Sequence, residues 1–234
     1  MQRSRIHIEH DAAMLADMAG AERPACDGLI VSLGRADDVL ASTIRSNVLS
    51  GNWLLDADLP ASRVLSWSGT LAEELFQPHP TTWLSPGHEA LAAFCDEIAP
   101  QLDRHQRTLC FQPHARHVLN DPQSCARFLQ QRSGEAFEIA LAPASMLEPT
   151  MLDHLEDHLH RAFETLGGLG AMLMLSDVIA EGDDVRPVPL GDGVLPREVV
   201  LRLIDQHVPP SVPIVLEPGK LEQQRAWLEP LGGD

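Results

Sequence analysis

The sequence predicts one parallel (β/α)8 barrel spanning residues 1–234 as a single domain. Three observations lead there. Short apolar runs of strand length alternate with longer stretches of helical spacing, the pattern of a parallel sheet covered by helices. Eight such runs over the 234 residues give about 29 residues per unit, near the lean end for this barrel. No Gly-rich phosphate loop follows the first strand, which weakens the doubly wound dinucleotide-binding alternative.

In order, Ile6–Glu9 alternates apolar and polar residues as a strand, and Ala12–Ala19 has helical spacing. Leu29–Leu33 is a buried strand, and Ala36–Arg45 follows it as a helix. Asn52–Leu55 and Val64–Trp67 supply the third and fourth strands. Between Gly69 and Pro86, the prolines at 78, 80 and 86 favour loop. His88–Leu102 carries apolar residues at 91, 94, 95, 98 and 102, a helical spacing. Thr108–Phe111 is the fifth strand, and Asp121-Pro122 starts a helix with an N-cap acid and a proline at its first position. That helix runs to about Arg132, where Ser133-Gly134 stops it. Phe137–Leu141 is the sixth strand, Met151–Leu166 a helix, and Ala171–Leu175 a fully buried seventh strand. Pro196–His207 is helical, Ile214–Leu216 is the eighth strand, and Leu221–Leu228 is the last helix.

Composition narrows the function. There are 34 Asp and Glu against 17 Lys and Arg, a formal net charge of −17, so phosphate backbones are repelled unless a local basic patch exists, and the sequence shows none. Lys220 is the only lysine and hence the one candidate for Schiff-base chemistry. The four cysteines, at 26, 95, 110 and 125, form no CxxC pair and match no zinc spacing. They are expected to be reduced, mostly buried thiols. No signal-peptide run opens the sequence and no stretch reaches the ~20 apolar residues of a membrane span, so a cytoplasmic protein with no membrane or nucleic-acid partner is expected.

In such a barrel the chemistry lies at the C-terminal strand ends. The polar residues there are Glu9 and His10, Trp67 and Ser68, Gln112 and His114, Ser176 and Asp177, and Glu217. Taken singly, each reads as an ordinary loop residue; taken as a set around one mouth, they form a candidate site. His154 and His158 stand one helical turn apart, but with His160 they read better as a solvated acidic helix face. His114 and His117 both fit a place near the mouth, with a loop-capping role as the alternative for one of them; Cys110 fits a buried role and Lys220 an exposed one.

The phrases LCFQPH (109–114), ALAPASML (140–147), MLSDV (174–178), PLGDGVL (189–195) and IVLEP (214–218) together resemble the sugar phosphate isomerase/epimerase family, whose fold is the xylose-isomerase-like barrel. The resemblance implies an isomerase or epimerase acting on a sugar, sugar phosphate or related metabolite. It also implies four metal ligands: Glu, Asp, His and Glu on strands five to eight. Those positions hold Gln112, Ala142, Met174 and Glu217, so only the last is retained. The family's substrate-contacting His after strand five persists as His114, its acid after strand seven persists as Asp177, and its strand-six His is replaced by Ser145.

Hard divalent ions need carboxylate, carbonyl or imidazole donors. Alanine offers none, a thioether is soft, and one Glu with one Gln is too little, so no metal cofactor is expected. Glu217 is then the surviving acid/base, and Gln112, His114 and Asp177 are the substrate contacts. A glutamine amide accepts no proton near neutral pH. That leaves two functional classes open: an isomerase or epimerase, and a non-catalytic sugar- or metabolite-binding barrel. An endonuclease on the same fold would need a rich ligand cluster and a basic groove, and the sequence has neither.

Overall fold

Alternation along the strands builds the barrel from its centre outward. The computed structural model describes residues 5–11 and 26–229. Eight strands close the barrel: β1 (Ile6–Asp11), β2 (Gly28–Ser32), β3 (Arg35–Ile44), β4 (Arg63–Trp67), β5 (Thr108–Gln112), β6 (Phe137–Leu141), β7 (Met172–Leu175) and, last in the chain, β10 (Ile214–Leu216). A separate hairpin joins β8 (Asp177–Glu181) to β9 (Asp184–Val188). The order around the barrel is β1-β10-β7-β6-β5-β4-β3-β2. Pairing is parallel at every seam except the two made by β2, which runs antiparallel to β1 and to β3.

An all-parallel barrel is therefore corrected to an α/β barrel with one reversed strand. The correction has a local cause. Ala36–Arg45 is not a helix; it lies almost wholly in the ten-residue strand β3. Leu33 and Gly34 form the two-residue turn between the paired Ser32 and Arg35, and a connection that short joins antiparallel strands. β3 occupies the barrel place expected for Asn52–Leu55, which has no strand. The helix expected at Ala12–Ala19 lies outside the described residues.

The second half follows the expected order. The helices are α1 (Ser85–His105), α2 (Pro122–Gln131), α3 (Leu155–Leu166), α4 (Arg197–His207) and α5 (Leu221–Leu228). Helix α1 starts at the Ser85-Pro86 pair, where a proline costs no hydrogen bond. It buries Leu91, Cys95, Ile98 and Leu102 on one face. Asp121 caps α2 by accepting from the backbone N–H of Gln123 at 2.7 Å and of Ser124 at 2.8 Å, and Ser124 completes the capping box. The stretch expected to be helical from Met151 begins as a 3-10 turn, Pro149–His154, before α3.

Two apolar layers result. Ile30, Ala41, Leu65, Cys110, Ala140, Met172 and Val215 fill the barrel interior, one from each of seven strands. A larger layer between strands and helices includes Phe111, Ile139, Phe163 and Leu203. All four cysteines are buried and unpaired. Among the described residues no helix is long and apolar enough to cross a membrane.

Candidate functional site

Side chains on one strand face recur every second residue. The residues two positions beyond the interior plug therefore form the floor of the barrel mouth: Trp67 after Leu65, Gln112 after Cys110, Met174 after Met172 and Glu217 after Val215. All four line a cavity of about 630 Å³. Ala142 stands two residues after Ala140, is 1% exposed, and presents no donor.

Arg45 sits across this floor, because β3 ends at Ile44 and delivers the next residue to the mouth. Its Nη2 donates to Glu9 Oε2 at 2.6 Å and its Nη1 to Gln112 Oε1 at 2.8 Å. Its guanidinium carbon lies 4.9 Å from the centre of the Trp67 ring, a cation–π contact. Gln112 is engaged at its other end too, donating from Nε2 to Ser145 Oγ at 3.2 Å. Glu217 has no side-chain hydrogen bond or ion pair among the described residues. Burial, then the neighbouring Glu9 carboxylate, pushes its carboxyl above the ordinary range, while Arg45 pulls the other way.

One wall is aromatic. Trp67, Phe76, His114 and His117 contact one another with ring centres 4.8–5.6 Å apart. The backbone N–H of Arg116 donates to His114 Nδ1 at 3.1 Å, which puts the ring proton on Nε2. Burial, with the Arg116 charge beside it, lowers His114 to about 4. His117 is fully buried. Its Nε2 pairs with the Leu75 carbonyl at 2.9 Å, and burial with His114 beside it lowers it to about 3. Both rings are neutral near pH 7.

Another part of the rim is the β8–β9 hairpin, which supplies Glu181, Asp184, Val185, Arg186 and Pro187 to the cavity. Arg116 holds it by ion pairs to Asp184 at 3.1 Å and, on the other side, to Glu148 at 2.9 Å. Arg186 pairs with Glu181 at 2.8 Å.

Gln112, His114 and Glu217 thus share one cavity. Asp177 does not join them. It is 1% exposed and lies outside the cavity lining. Its Oδ1 accepts from the backbone N–H of Val178 and of Leu195, both at 2.8 Å, and its Oδ2 from that of Gly191 at 3.0 Å. The carboxylate pins the PLGDG loop to the start of β8. Arg45, Phe76, Arg116 and the hairpin were not foreseen. Alternation from Ala41 through Thr43 to Arg45 would have found Arg45 once the segment was read as a strand.

The donors at the floor do not fit a divalent metal. Gln112 and Glu9 each give an oxygen to Arg45, Met174 offers a thioether, and Glu217 alone is uncommitted. A dication about 4 Å from a guanidinium, at an effective dielectric near 20, is repelled by roughly 8 kcal/mol. No group of three His, Cys, Asp or Glu able to hold a metal occurs among the described residues.

No protein-family model matches the sequence, and no curated protein matches it. Solved structures do. The probable 3-DHS dehydratase of Bacillus anthracis, involved in petrobactin synthesis, superposes with a TM-score of 0.53 at 11% identity, over 80% of this chain and 74% of that one. A xylose isomerase-like TIM barrel protein from Mycobacterium smegmatis, solved with magnesium, gives 0.48 at 11% identity over 80% and 71%. A D-psicose 3-epimerase solved with D-fructose gives 0.48 at 18% identity, with 74% of this chain covering 57% of that one. This chain therefore spans little more than half the epimerase's length. The likeness is one of fold: the dehydratase superposition, at 11% identity, supports an α/β barrel.

Proposed function

We propose that the mouth of this barrel binds a sugar, sugar phosphate or related polyol and carries an isomerase- or epimerase-type proton transfer without a divalent metal. One observation carries the proposal: Glu217 is the cavity carboxylate left without an ion pair, while Glu9, Glu148, Glu181 and Asp184 are each held by an arginine. A carboxylate whose proton affinity is raised by burial is a better base near neutral pH. In the proposed step Glu217 takes the proton from a carbon next to the carbonyl, and the C–H electron pair becomes that of an enolate. The proton then returns to carbon. Trp67 and Phe76 offer apolar faces for the C–H side of a sugar, and His114 Nε2–H is a neutral donor for a hydroxyl.

A second reading, a binding barrel without turnover, is favoured by Gln112. Its amide accepts no proton and is hydrogen-bonded at both ends, and the neighbouring Glu9 carboxylate is held by Arg45, so no uncommitted second base stands beside Glu217. A screen of sugars and sugar phosphates in D2O, with and without added divalent metal, separates the two. Deuterium entry at the carbon beside the carbonyl, abolished by Glu217→Gln, supports proton transfer. Saturable binding with no exchange supports the second reading.

A further inference from the structure

We infer that the guanidinium of Arg45 is the resident cation of the barrel mouth, standing among Glu9, Gln112 and Glu217 where a metal ion would otherwise gather their oxygens, and that it offers its free N–H groups to an oxygen of the ligand. This deepens the proposed function and shares its assumption that the mouth is the site.

The geometry has three parts. First, Arg45 is fixed. Two of its N–H groups bond Glu9 and Gln112, its guanidinium lies against Trp67, and its backbone N–H donates to Asp27 Oδ2 at 2.6 Å. A guanidinium held on two sides and over a ring has little freedom to leave. Second, it is not used up. Of the five N–H groups of a guanidinium, those two have partners among the described residues, and Arg45 lines the cavity. Third, its position depends on the departure from an all-parallel barrel. The β2–β3 hairpin makes the segment before Arg45 a strand, and the strand delivers Arg45 to the mouth. A chain with a helix over 36–45 would not present it there.

The consequence is specific. With Arg45 present, Glu9 and Gln112 are committed and a dication is repelled. With Arg45 removed, two carboxylates and an amide oxygen are left facing one cavity without the guanidinium beside them, since Arg116 and Arg186 are held by other acids. The test is Mn2+ binding to the metal-stripped full chain, followed by electron paramagnetic resonance of the free ion and by calorimetry. Wild type is expected to take up no stoichiometric Mn2+ at 1:1 ratios and tens of micromolar. Arg45→Ala is expected to bind Mn2+ at least tenfold more tightly than wild type, and Arg45→Ala with Gln112→Glu more tightly still. Adding Glu217→Gln to Arg45→Ala should abolish the gain, and millimolar methylguanidinium should compete with Mn2+ in the Arg45→Ala protein. Far-ultraviolet circular dichroism establishes that each variant is folded. Stoichiometric Mn2+ in wild type, lost in Glu217→Gln, would overturn the inference. Folded Arg45→Ala and Arg45→Ala/Gln112→Glu proteins that both bind no better than wild type would overturn it too. Neither readout involves turnover, so the inference can fail while proton transfer stands, and the reverse.

Discussion

Gly193 packs against Asp177 with no room for a β-carbon: a Cβ built there would stand 2.7 Å from Asp177 Cγ and closer still to Oδ1 and to the Val178 carbonyl. The small residue lets the PLGDG loop fold over the carboxylate, so that Gly191 and Leu195 can donate to it. Gly193→Ala should cost ~1–3 kcal/mol through forced displacement of the loop. Asp177→Ala leaves three backbone N–H groups without their acceptor and should cost ~3 kcal/mol or more. Urea unfolding measures both. Because Asp177 lies behind the cavity wall, folded Asp177→Asn should keep ligand affinity within a few-fold of wild type. A hundredfold loss would restore Asp177 as a substrate contact.

The buried histidines set an acid limb of stability. In the unfolded chain a histidine titrates near ~6.5, whereas His114 is lowered to about 4 and His117 to about 3 in the fold. Below ~6.5 the unfolded chain therefore binds protons that the folded one refuses. Stability falls as pH drops, by up to about 1.4 kcal/mol per pH unit for each histidine that is protonated in the unfolded chain and neutral in the fold. His114 stops contributing at about 4 and His117 at about 3. Glu217 acts with the opposite sign. Its raised folded value makes the fold relatively more stable at low pH, and that advantage is lost as pH rises through the folded value. Urea titrations from pH 7 to pH 4 should show a net loss of stability on acidification, and His117→Gln should flatten the slope.

The thiols should be inert in the native protein. Burial pushes Cys95 and Cys125 up to about 12 and Cys110 higher, and it raises Cys26 as well. Ellman's reagent at pH 8 should titrate close to no thiol in the native state and four in 6 M guanidinium. Rapid native labelling would show that one wall opens.

The second half of the fold was legible because each strand there is an unbroken apolar run with a clear helix after it, as with Phe137–Leu141 and Ala171–Leu175. The Asp121-Pro122 cap was legible because its chemistry is local. Ala36–Arg45 misled because Val39, Leu40, Ala41 and Ile44 can be placed on one helix face as easily as along a strand buried on both sides. The deciding signals were the Leu33-Gly34 turn and the β-branched Val39, Thr43 and Ile44, and above all the empty eighth place in the barrel, which only the tertiary structure reveals. The hairpin over the mouth carried a readable sign, Gly182-Asp183 between alternating residues, with Gly182 at φ 63°. That Gln112, His114 and Glu217 line one cavity was legible from their place at or after strand ends. Arg45 could not be, since its strand was read as a helix.

The cavity should prefer an uncharged sugar to its phosphate ester. Three arginines line it, and each is already matched by acids: Arg45 by Glu9, Arg116 by Glu148 and Asp184, and Arg186 by Glu181. Glu217 adds a carboxylate with no partner, so carboxylates outnumber guanidiniums five to three, in a chain whose formal net charge is −17. A phosphate carries up to two negative charges; the free N–H groups of Arg45 belong to a guanidinium already matched by Glu9, so neutralising the phosphate requires exchanging a carboxylate off one arginine and leaves that acid unpaired beside it. Arg186 is the weakest such pairing, because both partners are more than half exposed, and an exposed pair holds by ~1 kcal/mol or less. A neutral ligand meets no such exchange. It needs only the aromatic wall, the His114 donor and the free N–H groups of Arg45. A ketohexose and its 6-phosphate, compared by calorimetry at low salt, should differ at least tenfold in favour of the free sugar. The gap should narrow in 0.5 M salt, where the repulsion is screened. Glu181→Gln should narrow it as well, by releasing Arg186. Tighter binding of the phosphate in wild type would mean that the rim arginines exchange partners on ligand entry, and the charge argument would be wrong.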